Sequence, residues 1–272
     1  GFSSFFGGSS ARGGHPVNQG TNLRVRVRLT LKEVAQGVEK KIKVKKYVPC
    51  SVCGGKGATS DADITVCSTC HGTGRVTRTV NSMFGAMQSA SPCPTCHGEG
   101  KVITKPCSHC HGEGVEMAEE VISINIPAGV QEGMQLSMRG KGNAARRGGI
   151  PGDLLVLIEE EPHPELIRDE NDLIYNLMLP LSTAVLGDSV EIPTVDGRVK
   201  VKIAPGTQSG KVLRLRGKGL PDVNHYGHGD LLINIAVYIP EHLSKDEKEF
   251  FESKREAASF QPTAAAKKEY FR

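Results

Sequence analysis

The sequence predicts a mainly β protein: two small tandem β-sandwich domains, the first interrupted by an inserted cysteine-rich module, with a helix at the C-terminus. Three observations lead there. Part of the chain is duplicated, apolar residues alternate with polar ones through both copies, and all eight cysteines lie between residues 50 and 110. At 272 residues the length suits about two domains. Gly shows no three-residue period, which excludes collagen. The longest apolar run, Leu154 to Ile158, is far below the ~20 residues a membrane span needs. No secretory leader is visible, and the chain begins Gly1-Phe2 rather than Met, as a fragment would.

The duplication is read from three matches at one offset. Ile126-Pro-Ala-Gly129 with Gln131 and Gly133 recurs as Ile203-Ala-Pro-Gly206 with Gln208 and Gly210. Arg139-Gly-Lys-Gly142 recurs as Arg216-Gly-Lys-Gly219, and Gly152-Asp-Leu-Leu155 as Gly229-Asp-Leu-Leu232. The offset is 77 throughout, and 14 of the 33 positions from 126 to 158 are identical to their partners, too many for chance. Upstream, Leu29-Thr-Leu31 with Gly37 and Ile42 matches Leu179-Pro-Leu181 with Gly187 and Ile192 at an offset of 150. The two offsets differ by 73 residues, which is the extra sequence carried by the first copy. The cysteines fit inside it.

The repeats read as strands. Leu23, Val25, Val27, Leu29 and Leu31 alternate with Arg24, Arg26 and Arg28, the mark of a half-buried strand. Val38, Ile42 and Val44 keep the period, as do Ile122, Ile124 and Ile126, and in the second copy Val199, Val201 and Ile203. Turn signals separate the runs, and mainly antiparallel pairing is expected. Near the end, Ser244-Lys-Asp-Glu247 is a capping box opening a helix to about Ala258, with Leu243, Phe250, Phe251 and Lys254 roughly on one face. Residues 1–20, rich in Gly, Ser and Phe, read as a flexible linker.

The cysteines form four pairs, Cys50/Cys53, Cys67/Cys70, Cys93/Cys96 and Cys107/Cys110, each opening the pattern C-x-x-C-x-G-x-G. A C-x-x-C loop brings two thiolates to one metal, and the glycines turn the chain back with positive φ. Eight thiolates fill two tetrahedral zinc sites with none left over, so His71, His97 and His111 are not needed as ligands. An inserted module must bring its two ends together. That favours a nested arrangement, Cys50, Cys53, Cys107 and Cys110 on one zinc and Cys67, Cys70, Cys93 and Cys96 on the other. From Arg75 to Pro92 a long excursion carries Met83, Phe84 and Met87, either packing or a soft apolar surface.

Four such motifs inserted in the first of two β repeats, after a Gly/Phe-rich linker, resemble the DnaJ-type co-chaperones over nearly the whole chain. The resemblance implies binding of non-native polypeptides in the cytoplasm, prevention of their aggregation, and delivery to a DnaK-type heat-shock ATPase. It implies two Zn2+ per chain, no enzymatic activity, and a homodimer through the C-terminal segment, here Leu243, Phe250 and Phe251. It places a client groove beside an edge strand of the first β domain, lined by Leu23, Ile42, Val44, Ile122 and Val156. The counterparts in the second copy are Leu173, Ile192, Thr194, Val199 and Ile233, so the sequence does not say why one copy alone would bind. Neither His15-Pro16-Val17 nor His163-Pro164-Glu165 is the family's His-Pro-Asp signature, so its J domain is not expected within this chain. The expected layout is a linker remnant at 1–20, a first β domain at 21–48 and 115–168, and a zinc module at 49–114. A second β domain follows at 169–243, then a helix and tail at 244–272.

Two other classes fit the sequence less well. A nucleic-acid-binding zinc protein would use Lys40, Lys41, Lys43, Lys45 and Lys46, but alternation puts Lys41, Lys43 and Lys45 on a solvated face. The Gly-rich turns also offer no groove-reading helix. A thiol–disulfide oxidoreductase would need thiolates that zinc occupies. The formal charge of +4 counts cysteines as neutral. Two filled four-cysteine sites contribute −4 and bring the chain near neutrality, which removes the basic bias.

Overall fold

The computed structural model describes residues 18–82 and 85–270, and nothing about the side chains of residues 80–87 and 269–270. Met83 and Phe84 lie outside the described residues, as does most of the Gly/Phe-rich linker. The chain divides into two compact units, Gly1–Pro162 with Asp222–His225, and His163–Pro221 with Tyr226–Arg272. In the first, the elements run β1 (Leu23–Leu29), α1 (Leu31–Gln36), β2 (Val38–Pro49), β3 (Ile64–Val66), β4 (Arg75–Ser82), β5 (Gly85–Pro92), β6 (Lys101–Ile103), β7 (Val115–Ile126), β8 (Gln135–Met138) and β9 (Leu154–Glu160). The second holds β10 (Leu166–Asp169), β11 (Asp172–Pro180), α2 (Leu181–Leu186), β12 (Asp188–Thr194), β13 (Gly197–Ile203), β14 (Val212–Leu215), β15 (Leu231–Tyr238), α3 (Lys245–Lys254) and α4 (Ala264–Tyr270).

The duplication extends to hydrogen-bond register. The first unit has a three-stranded sheet, β1-β9-β8, and a two-stranded ladder, β2-β7; the second has β10-β11-β15-β14 and β12-β13. Leu23 lies opposite Leu154, and Leu173, 150 residues on, lies opposite Leu231, 77 residues on. Ile42 faces Ile122 as Ile192 faces Val199. Leu136 faces Val156 as Leu213 faces Ile233. In both sheets the central pair, β1 with β9 and β11 with β15, is parallel. The other described ladders are antiparallel, as expected for the chain in the main; these two pairs are parallel because everything between their strands is one crossover connection. Leu166–Asp169, assigned to the first β domain from sequence, pairs with β11 in the second unit's sheet.

The buried faces follow the alternation. Val27 and Leu29 on β1, Ile122, Ile124 and Ile126 on β7, and Leu154, Val156 and Ile158 on β9 are buried, while Arg24, Arg26 and Arg28 stay in solvent. Arg26 and Arg28 flank Glu159 at 3.3 and 3.2 Å. Leu173, Ile192, Ile203, Leu231 and Ile233 form the equivalent core of the second unit. α1 is opened by a capping box, Thr30 with Glu33.

α1 and its counterpart α2 each end on a glycine with positive φ, Gly37 at 73° and Gly187 at 74°. A Cβ at Gly187 would meet the Ile203 carbonyl oxygen and the Pro205 ring at 2.8 Å. Gly187→Ala is therefore expected to destabilise the second unit by more than about 1 kcal/mol, from strained φ and a clash with backbone. Urea unfolding followed on that unit measures it. An unchanged midpoint would show that the turn relaxes.

The insertion sits at the tip of a hairpin. In the second unit Thr194 pairs with Gly197 across a tight turn. In the first, the equivalent pair Val44 and Glu120 is followed by five further pairs, down to Pro49 with Val115. Residues 45–119 thus stand where 195–196 stand in the other repeat, the 73-residue excess of the two offsets. Beyond Pro49 the module builds its own small ladders, β3 with β6 and β4 with β5.

Candidate functional sites

The structure brings the cysteines together in two groups, Cys50, Cys53, Cys107 and Cys110, and Cys67, Cys70, Cys93 and Cys96. This is the nested grouping, and the backbone specifies it. In each group the first cysteine of one motif donates its N–H to the last glycine carbonyl of the other. Cys50 bonds Gly114 at 3.0 Å and Cys107 bonds Gly57 at 2.9 Å; Cys67 bonds Gly100 at 2.9 Å and Cys93 bonds Gly74 at 2.8 Å. The motifs pack so closely that a Cβ on Gly114 would lie 2.3 Å from the Gly55 carbonyl oxygen.

Every motif folds into the same knuckle. The last glycine N–H donates to the second cysteine sulfur, from Gly57, Gly74 and Gly100 at 3.2 Å and from Gly114 at 3.1 Å. The residue just after that cysteine is left-handed: Gly54 at φ 60°, His71 and His97 at 51°, His111 at 53°. Histidine is one of the few non-glycine residues that tolerate this region. The three histidines are exposed and stand where the first motif has glycine. They serve the turn and contribute no ligand to either group.

None of the eight cysteines is in a disulfide, and all but Cys53 are buried. Cys67 and Cys93 sulfurs are 3.9 Å apart, Cys70 and Cys96 3.6 Å, Cys53 and Cys110 3.7 Å. These are far beyond the ~2.05 Å of a disulfide. They fit four sulfurs held at about 2.3 Å around a tetrahedral zinc, which leaves neighbours about 3.8 Å apart. Burial pushes the Cys96 and Cys110 thiols up to about 11. At Cys93 burial acts the same way, but N–H groups of Cys96 and Thr95 outweigh it and bring the thiol to about 7. Four buried thiolates repel one another unless a cation sits between them. Both groups are poised to ligate metal ions, and the donor set suits zinc.

One neighbour of the outer group was not legible in the sequence. His109 lies inside the fourth C-x-x-C, its Nδ1 3.5 Å from the Cys50 sulfur and 3.2 Å from the Glu116 carboxylate. The sulfur and then the carboxylate raise its imidazole above the ordinary range. Glu116 is held low by the Ser51 N–H at 2.8 Å. The arrangement is a support for a metal-bound thiolate.

The residues expected to line a groove divide. Val44, Ile122 and Val156 are buried, whereas Leu23 and Ile42 are partly exposed. Lys41, Lys43 and Lys45 are exposed, and Lys43 pairs with Glu119 across the ladder. Lys46, counted among the basic residues, is instead buried and donates to the Lys141 carbonyl at 3.0 Å and to Glu120 at 2.8 Å. At the C-terminus α3 has its Ser244–Glu247 capping box and buries nothing; it ends at Lys254, four residues short of the expected Ala258. Leu243, Phe250 and Phe251 are exposed, the two rings meeting edge to face at 5.6 Å.

The sequence from residue 23 to 240 matches the family described as DnaJ C terminal domain. The chain belongs to that family. It is 58% identical over 254 residues to the chaperone protein DnaJ of Bacteroides fragilis, covering 93% of this chain and 64% of that protein. It is 58% identical over 263 residues to the chaperone protein DnaJ of Porphyromonas gingivalis, covering 97% and 68%. The DnaJ of Chlorobium limicola is 43% identical over 269 residues. The chain thus spans just under two thirds of the Bacteroides relative. Among the described residues no helix is long and apolar enough to cross a membrane. Within this DnaJ C-terminal frame the two cysteine groups are the family's zinc module, inserted at the hairpin tip of the first repeat.

Proposed function

We propose that the chain is the client-binding part of a cytoplasmic co-chaperone. It holds extended, apolar-rich segments of non-native polypeptides, keeps them from aggregating, and within a longer protein passes them to a DnaK-type ATPase. It acts as a homodimer joined through the segment after Pro240, and as a binder with no reaction of its own. The observation that carries this reading is the open edge of β2. Among the described residues its only partner strand is β7. Near its end, Tyr47 turns its N–H and C=O outward to Asn143 and Ala144, at 2.9 and 2.8 Å. By alternation Lys45, Lys43 and Lys41 turn theirs the same way. An extended client can pair there, and backbone pairing is indifferent to sequence. The exposed lysines on this strand discourage pairing between folded copies.

Leu23 and Ile42 supply the accessible apolar contact, and Val44, Ile122 and Val156 form its floor. Leu23→Ser with Ile42→Ser is expected to weaken binding of an apolar extended peptide about tenfold, the equivalent of one lost apolar side-chain contact. Fluorescence anisotropy measures it, with circular dichroism confirming the fold. Unchanged affinity in a folded variant would refute the groove. Val44 is a poor choice for this test, because its loss would damage the core as well.

A further inference from the structure

We propose that Arg147 is a positioning residue that, with Arg146 and Asn18, latches the zinc module to the first β domain in one orientation. The module's covalent connection is the outer half of the β2–β7 ladder, a two-stranded ribbon. Such ribbons twist more than wider sheets and are marginal alone. The loop between β8 and β9 braces the stalk through Asn143 and Ala144 on Tyr47, and its contacts to the metal knuckles converge on one dipeptide.

Arg147 reaches both metal knuckles at once. Its Nε donates to the Gly112 carbonyl at 3.0 Å, in the fourth motif of the outer site. Its Nη1 pairs with Glu99, in the third motif of the inner site. Its backbone N–H donates to the Glu113 carbonyl at 3.1 Å, while the Arg146 guanidinium pairs with the Glu113 carboxylate. Glu99 is shared, since its other oxygen accepts the Asn18 side-chain amide at 3.2 Å. Asn18 is itself fixed to the same loop, its carbonyl accepting the Ile150 N–H at 2.9 Å. Arg147 and Glu99 are 30% and 22% exposed, so salt screens them less than a surface pair.

Two features mark this as a built contact. Arg147 adopts φ 50° and ψ 44°, a left-handed conformation uncommon for arginine, which the surrounding bonds hold in place. The second repeat supplies an internal comparison. The positions equivalent to Arg146, Arg147, Gly148 and Gly149 are Val223, Asn224, His225 and Tyr226. That repeat has a two-residue turn where the first has the module, and it has no arginines to hold one. A cleft of about 450 Å³ beside the latch, lined by Lys56, Asp61, Lys101 and Arg147 among others, leaves room for the module to tilt once released.

The test places a donor and an acceptor dye, attached through non-cysteine chemistry, at the exposed Lys32 on α1 and Thr77 on β4 of the zinc-loaded chain. Single-molecule energy transfer is expected to show one narrow distance distribution. In Arg146→Ala with Arg147→Ala the distribution should broaden while two zinc ions per chain remain bound. Glu99→Gln, nearly isosteric and free of backbone effects, should broaden it less. A distribution as narrow as the parent's in the double variant would overturn the proposal. Broadening accompanied by zinc loss would also overturn it, since the arginines would then be scaffolding the metal sites rather than orienting them.

Discussion

Replacing Cys107 and Cys110 with serine is expected to remove one zinc ion per chain and leave the other in place. The outer group loses half its donors, and a structural zinc site of this kind is worth about 10–16 kcal/mol of folding free energy. The Cys50 and Cys107 N–H bonds to Gly114 and Gly57 close around the metal, and the Arg147 bonds to Gly112 and Glu113 hold only the outer side of the fourth motif. The inner group closes on itself. Cys67 and Cys93 bond Gly100 and Gly74, and the β3–β6 ladder pairs Ile64–Val66 with Lys101–Ile103 just behind it. The inner site should therefore survive as a local unit on a frayed stalk. Metal analysis gives the stoichiometry, and hydrogen exchange should show protection lost near residues 50–57 and 107–114 but kept around Cys67 and Cys93. Release of both ions would mean that the inner site depends on the outer one. Retention of both would contradict the nested grouping. The second unit shares no ligand with either group, so its unfolding should not change.

Much of this arrangement was legible because duplication and insertion leave arithmetic traces. The offsets of 150 and 77 are the register of the paired strands, seen from the sequence. The nested cysteine grouping follows from an insertion whose ends must meet, which the Pro49–Val115 pair does. What stayed hidden depends on contacts remote in sequence. No local pattern marks β1 and β9 as parallel neighbours, since they are joined only through the whole intervening domain. Lys46 reads from sequence only as one of the basic residues a nucleic acid would need; its burial depends on Glu120 and the Lys141 carbonyl, which no local pattern brings to it. A wall residue and a core residue share the same period of two, so Val44, Ile122 and Val156 could not be separated from Leu23 and Ile42 by alternation. Arg146-Arg147 reads as a polar loop until Glu99 and Glu113 are seen against it. The internal comparison could have found it, because the repeats diverge most sharply there.

Truncation after Pro240 is expected to yield a monomer that holds aggregating clients far less well. α3 is a well-capped helix that buries none of its residues on its own unit. Phe250 is 52% exposed and Phe251 36%, and Leu243 just before the helix is 42% exposed. Aromatic rings left exposed on a helix are costly in water and are typical anchors of a protein interface. A second copy of the same helix is the simplest cover, because a twofold contact needs only one self-complementary patch. The consequence for function comes from geometry. A single open edge binding through backbone bonds and one or two apolar side chains is weak. Two such edges tied together make the second contact intramolecular, and avidity then exceeds the single-site affinity by about 10²–10⁴-fold. The truncated chain should keep its affinity for a short peptide that fills one edge, yet lose that factor for a long unfolded client. Light scattering reports the mass, and the ratio of long-client to short-peptide affinity reports the avidity. A dimer that persists after truncation would place the contact elsewhere. A monomer with undiminished long-client affinity would show that one edge is sufficient.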